Sequence, residues 1–136
     1  MPAQRKTAYV VSHTHWDREW YLPYHRFRVS LIRIVDQVLD ALENDESFEH
    51  FLLDGQAVAL EDYLEVRPQQ AERIAALVRG GALSLGPWYV LPDEFLVSGE
   101  ATVRNLLVGH AVAGEFGPVQ KTGYMPDSFG HIAQMP

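Results

Sequence analysis

The chain has 136 residues, 47% hydrophobic and 21% charged, which fits one folded unit with its own core and excludes a disordered chain. Its formal net charge is −7, with acidic residues spread along the chain, so nucleic acid, which wants a basic stripe, is not an expected partner. There is no cysteine, which removes disulfides and thiolate metal sites.

No run approaches the roughly 18 apolar residues of a membrane-spanning helix, so no membrane partner is expected. The start, Met1-Pro2-Ala3-Gln4-Arg5-Lys6-Thr7, is basic and leads only into the short apolar run Ala8 to Val11. That is too little for a signal peptide, and a cytoplasmic location is the expectation.

Ala8-Tyr9-Val10-Val11 predicts a first strand. Arg26 to Asn44 predicts a helix, because Leu31, Val35, Val38, Leu39 and Leu42 fall on one stripe. Phe51-Leu52-Leu53 predicts a second strand, ended by Asp54-Gly55. Ala57 to Val66 reads as helix through Val58, Leu60 and Leu64. Pro68 suits the first position of another helix, which carries Ile74, Leu77 and Val78 and stops at Gly80-Gly81. Ala82 to Leu85 predicts a third strand. A loop from Gly86 to Gly99 holds Pro87, Trp88, Tyr89, Pro92, Asp93 and Glu94. Ser98 is placed to cap a helix from Glu100 to Glu115. Lys121 to Tyr124 predicts a fourth strand, followed by Pro126-Asp127-Ser128-Phe129-Gly130-His131.

Strands separated by helix-length crossovers predict an α/β architecture with about four parallel strands. Such sheets put their chemistry at the C-terminal ends of the strands. The unusual residues follow that rule, since His13, His15 and Asp17, then Asp54 and Gln56, then Trp88 to Glu94, then Asp127 and His131 each follow one predicted strand. A barrel needs more strands to close, and four leave an edge open. Residues 1–136 are therefore expected to form the N-terminal part of a longer catalytic domain, able to self-associate through that edge. A small, complete, open α/β domain is the alternative.

In an extended segment His13, His15 and Asp17 point the same way and can converge on one ion. Imidazole and carboxylate suit zinc and related divalent ions. The plain alternative is a pair of histidines capping loop backbone. Spacing leaves open whether two or three of these residues are ligands, or whether one histidine orients the others. Asp127 can be a ligand, a nucleophile or both, or can simply cap a helix beginning at Ser128. His131 reads as a loop histidine. Trp16, Trp20, Trp88, Tyr89 and Phe129 offer faces on which sugars stack, although large aromatics are commonly core. Trp20 is the one expected in the pocket. Asp54, Gln56, Asp93 and Glu94 can hold sugar hydroxyls or support ligands, and Asp54 before Gly55 is equally a turn residue.

His13-Thr14-His15-Trp16-Asp17-Arg18-Glu19-Trp20-Tyr21 resembles the opening motif of the zinc-dependent retaining α-mannosidases, glycoside hydrolase family 38. Leu53-Asp54-Gly55-Gln56, Gly86-Pro87-Trp88-Tyr89 and Gly123-Tyr124-Met125-Pro126-Asp127-Ser128-Phe129-Gly130-His131 resemble later motifs of that family, in the right order. The bacterial branch that includes mannosylglycerate hydrolases is the nearest in character. The resemblance implies a seven-stranded β/α barrel, of which this chain is the N-terminal portion. It implies zinc held by His15, Asp17 and Asp127, with Asp127 also the catalytic nucleophile. Trp20 and Phe129 match substrate-binding aromatics, and His13 matches a supporting histidine. Asp54, Trp88 and His131 are further candidates for support. The family's acid/base carboxylate and last zinc ligand have no counterpart before Pro136, so this stretch alone is expected to be inactive.

Two other readings compete. Metal-dependent phosphoesterase and amidohydrolase barrels also open with H-x-H, but their later strands contribute more histidines than the single His131 found here. A non-catalytic carbohydrate-binding module would not need metal ligands and a rim carboxylate on different strands.

Overall fold

The longest apolar stripe makes the longest helix. In the computed structural model, which describes residues 6–135, α1 spans Tyr24–Asn44 and buries Leu31, Val35 and Leu39. The basic start at residues 1–5 and Pro136 lie outside the described residues. The helix begins two residues ahead of expectation because Pro23, whose φ is fixed near −67°, leaves its carbonyl to accept from the Arg26 amide at 2.9 Å.

α2, Ala57–Leu64, is buried on nearly every side, with Ala57, Val58, Ala59, Leu60 and Tyr63 all inside. The Tyr63 hydroxyl still needs a partner and donates to Asp36 of α1 at 2.7 Å. Pro68 opens a 3₁₀ turn, Pro68–Gln70, which runs into α3, Ala71–Arg79. Ile74 and Val78 of α3 join the core, and Arg73 reaches back to Asp40 and Glu43 on α1 at 2.6–2.8 Å.

Two short strands, β1 (Phe51–Leu52) and β2 (Leu83–Ser84), pair in parallel, with α2 and α3 as the crossover between them. Further segments lie beside them in chain order. His13 bridges Leu52 in parallel on one side, and the Gln120 amide donates to the Leu85 carbonyl at 3.0 Å on the other. The expectation of four strands is corrected on this point: among the described residues only these two are strands, and neither Ala8–Val11 nor Lys121–Tyr124 is in one. The cause is physical. A ladder is made by its neighbours. Tyr9 and Val10 are 90% and 91% exposed, with no partner on either side.

The last helix, α4, spans Gly99–Gly114, and the Ser98 hydroxyl caps it by accepting from the Ala101 amide at 3.1 Å. It docks on the loop after β2 through two residues. Any Cβ at Gly109 would lie 2.3 Å from the Trp88 carbonyl carbon, so only glycine lets the backbones meet. Asn105 accepts from the Tyr89 and Val90 amides at 2.9 and 3.0 Å and donates to the Val90 carbonyl at 2.5 Å. This holds residues 87–91 against the ends of the strands. Among the described residues no helix is long and apolar enough to cross a membrane.

Candidate functional site

β1 ends in a sharp turn. Asp54 has φ 55° and Gly55 φ 68°, which swings the Asp54 carboxylate inward until it has no solvent exposure. Burial pushes its carboxyl up to about 7, against the pull of its hydrogen bonds. Those bonds tie three loops together. The Trp16 amide donates to Asp54 Oδ1 at 2.9 Å. The Gln56 amide group donates to Asp54 Oδ2 and, at 2.8 Å, to the Trp16 carbonyl. Gln56 Oε1 accepts from the Leu91 amide at 2.8 Å.

His15 stands over this support. Its Nδ1 is 3.9 Å from Asp54 Oδ1. Its Nε2 is 3.6 Å from Asp17 Oδ1 and 3.5 Å from Asp127 Oδ2. The structure thus brings together His15, Asp17 and Asp127, two of them near the start of the chain and one near its end. Tetrahedral zinc with bonds of about 2.0–2.2 Å sets its ligand atoms about 3.3–3.6 Å apart, so both separations from His15 match edges of that tetrahedron. Among the described residues no group of three or more such side chains already has the full spacing of a metal site.

His13 turns elsewhere. The Tyr124 hydroxyl donates to the Thr14 carbonyl at 2.5 Å and lies 2.9 Å from His13 Nδ1, with the two rings edge to face. Burial raises the Tyr124 hydroxyl to about 12, which keeps it a donor. Its ring rests on Gly55, where a Cβ would lie 2.4 Å from ring carbon Cδ1. Trp88 is buried, and its indole N–H donates to the Tyr124 carbonyl at 2.9 Å. His131 faces Glu94, with Nδ1 2.7 Å from Oε1.

A cavity of about 500 Å³ opens beside His15, walled by Trp16, Asp17, Gln56, Asp93, Asp127 and Phe129, among others. Phe129 is 83% exposed yet forms part of that wall. Trp20, the aromatic expected in the pocket, is 75% exposed beside Tyr21 and is not among the lining residues. Trp16 takes the inner position, packed edge to face on Phe27. Asp93 lines the cavity, and its Oδ1 is buried with no hydrogen-bond partner among the described residues. Arg18 closes the far side through a forked pair with Asp62 of α2 at 2.7 and 2.9 Å.

Sequence reasoning missed three of these supports. Asp62 was detectable as one of two adjacent carboxylates on an otherwise apolar helix, and Asn105 as a weak helix former in mid-helix. Tyr124 stood in the Gly123–His131 motif, but nothing in the sequence gave it a role of its own.

The sequence model for the glycosyl hydrolases family 38 N-terminal domain matches residues 5–136. A protein from Halalkalibacterium halodurans named as a mannosylglycerate hydrolase is 45% identical over 133 residues, 97% of this chain and 15% of that protein. Human alpha-mannosidase 2C1 is 31% identical over 96% of this chain and 12% of its own length. The crystal structure of an alpha-mannosidase from Enterococcus faecalis V583 superposes with a TM-score of 0.88 at 51% identity, covering 91% of this chain and 14% of that one. The chain therefore spans about one seventh of the relatives it matches. On that match, which takes in every motif described above, the chain belongs to glycosyl hydrolase family 38.

Proposed function

We propose that this chain is the N-terminal part of a seven-stranded β/α barrel, and that it supplies half of the active site of a retaining α-mannosidase. The observation that carries the proposal is the approach of Asp17 and Asp127 to the same nitrogen of His15, at 3.6 and 3.5 Å, on the wall of a sugar-sized cavity. His15, Asp17 and Asp127 are the residues that would hold zinc. Their donor set of one imidazole and two carboxylates suits that ion. Bound there, zinc would supply a Lewis acid able to fix neighbouring hydroxyls of the mannose ring.

The chain's own residues do the rest. Trp16 and Phe129 present ring surface to the apolar C–H face of the sugar. Asp93, which lines the cavity, supplies a carboxylate suited to accept from a sugar hydroxyl. Asp54 and Gln56 fix the loop that carries His15, and His13 and Tyr124 fix the entry to the loop that carries Asp127. The Asp127 carboxylate attacks the anomeric carbon as the glycosidic oxygen leaves, forming a glycosyl ester. Water then cleaves that ester with retention of configuration. The carboxyl group that protonates the leaving oxygen, and later takes the proton from water, lies outside this chain. Retention places it roughly 5 Å from Asp127.

The relatives named as a mannosylglycerate hydrolase and as α-mannosidases have the mannosyl group in common, which is the part of the substrate this cavity would hold. Asp127→Asn tests the assignment in the whole enzyme. It should lower mannose release on the order of 10⁴-fold or more while zinc content is kept. Near-normal hydrolysis by that variant refutes the nucleophile.

A further inference from the structure

Asp127 sits in a stretch with few ties of its own. Its carboxylate is 66% exposed, and its only charged neighbour among the described contacts is His15. The stretch is fastened instead at its two ends. Upstream, Tyr124 is held by the Thr14 carbonyl and the Trp88 indole. Downstream, the fastening is Glu94.

Glu94 is a buried carboxylate whose side chain is 2% exposed. Such a group is tolerated only when its oxygens are met by donors. Both donors come from the Asp127 stretch and neither from its own loop. His131 Nδ1 lies 2.7 Å from Oε1, and the Ile132 amide donates to Oε2 at 2.9 Å. Gly130 completes the joint. Its φ of 121° suits glycine, and a Cβ there would lie 2.7 Å from the Phe95 ring. Residues 94 and 95 therefore grip residues 130 to 132 at two adjacent points. Asp93, next in the chain, walls the cavity that Asp127 faces.

We infer that Glu94 is a positioning residue: by clamping His131 and Ile132 it sets how far the Asp127 carboxylate stands from His15. The inference rests on the reading of His15, Asp17 and Asp127 as zinc ligands. It differs from that reading in naming a residue that touches neither metal nor sugar.

Calorimetric titration of the metal-stripped whole enzyme with Zn²⁺ tests it, using the wild type, Glu94→Gln, Asp127→Ala and the double variant. Glu94→Gln should weaken zinc binding about 10–100-fold, the usual loss when a supporting group is removed. In the Asp127→Ala background the same change should cost nothing further, because the group it positions is gone. Equal affinity for Glu94→Gln and wild type overturns the inference. So does an undiminished loss in the Asp127→Ala background, which would mark a general loosening. Should Glu94→Gln not fold, His131→Ala removes one of the two grips and is expected to give a smaller loss in the same direction. A wild type without a saturable zinc site, or Asp127→Ala binding like the wild type, instead sinks the zinc reading. Amide exchange then decides the clamp without metal. Glu94→Gln should lose protection at Ile132 while Leu52 keeps its own, and unchanged protection at Ile132 overturns the clamp.

Discussion

The helical half of the molecule and its rim are held by different means. In the helical half, Leu39, Ala59, Tyr63 and Ile74 are 0% exposed, drawn from three helices that cross-brace one another through Tyr63–Asp36 and Arg73–Asp40. On the rim, Trp20 and Phe129 are 75% and 83% exposed. There the loops that carry the chemically rich side chains are tied by hydrogen bonds to buried polar groups, Asp54, Gln56 and Glu94. Stability and chemistry are thus separated in space, and substitutions should separate in the same way.

The largest expected effect is in the core. Leu39→Ala should lower unfolding stability by about 2–5 kcal/mol in a urea titration, through lost transfer energy and the cavity left behind. Trp20→Ala should stay within about 0.5 kcal/mol. Equal losses would erase the distinction between the two regions. Next comes Asp62, which joins them. Asp62→Ala should cost about 2–3 kcal/mol, because Arg18 and Tyr24 both donate to that carboxylate. Gly109→Ala forces α4 off the Trp88 backbone and should cost about 1–3 kcal/mol. Ser98→Ala removes one cap and should cost about 1 kcal/mol by the same titration.

A pH titration sharpens the comparison on the rim. The hydrogen bond from His131, together with that of the Ile132 amide, holds the Glu94 carboxyl below the usual carboxylate range. As pH falls, the unfolded chain takes up this proton first. The stabilisation from Glu94 is therefore complete above the ordinary glutamate range, near pH 4.3, and is lost as pH drops through the depressed folded value. The protection factor at the Ile132 amide, its exchange rate referenced to the intrinsic rate at each pH, should fall in that acid window, with the core amides following only at global unfolding. Glu94→Gln should remove the dependence, and the same acid slope in that variant would assign it to another carboxylate.

Legibility in the sequence followed the same division. The stripe of Leu31, Val35 and Leu39 specified α1 because helix burial repeats with the helix period, and Pro68, Gly80-Gly81 and Ser98 marked ends through backbone chemistry. The outer strands were not legible in the same sense. Ala8–Val11 has the composition of a strand, but a strand also needs a neighbour, which composition does not supply. At the site, the alternation of His13, His15 and Asp17 predicted one direction for all three, yet the segment meets its partner at a single bridge and His13 turns to Tyr124. Trp20 was expected in the pocket because sugars stack on aromatic faces, and Trp16 takes the inner position there, against Phe27. The approach of Asp127 to His15 could be expected only from the placement of both after predicted parallel strands and from the order of the motifs, since 111 intervening residues leave no local pattern to read.

Zinc-edge X-ray absorption on the zinc-loaded whole enzyme tests the central claim most directly. The expected result is one ion with nitrogen and oxygen ligands at about 2.0–2.2 Å. Its imidazole scattering should fall in His15→Ala and stay unchanged in His13→Ala. Zinc that fails to bind, or an imidazole signature undiminished in His15→Ala, would contradict it.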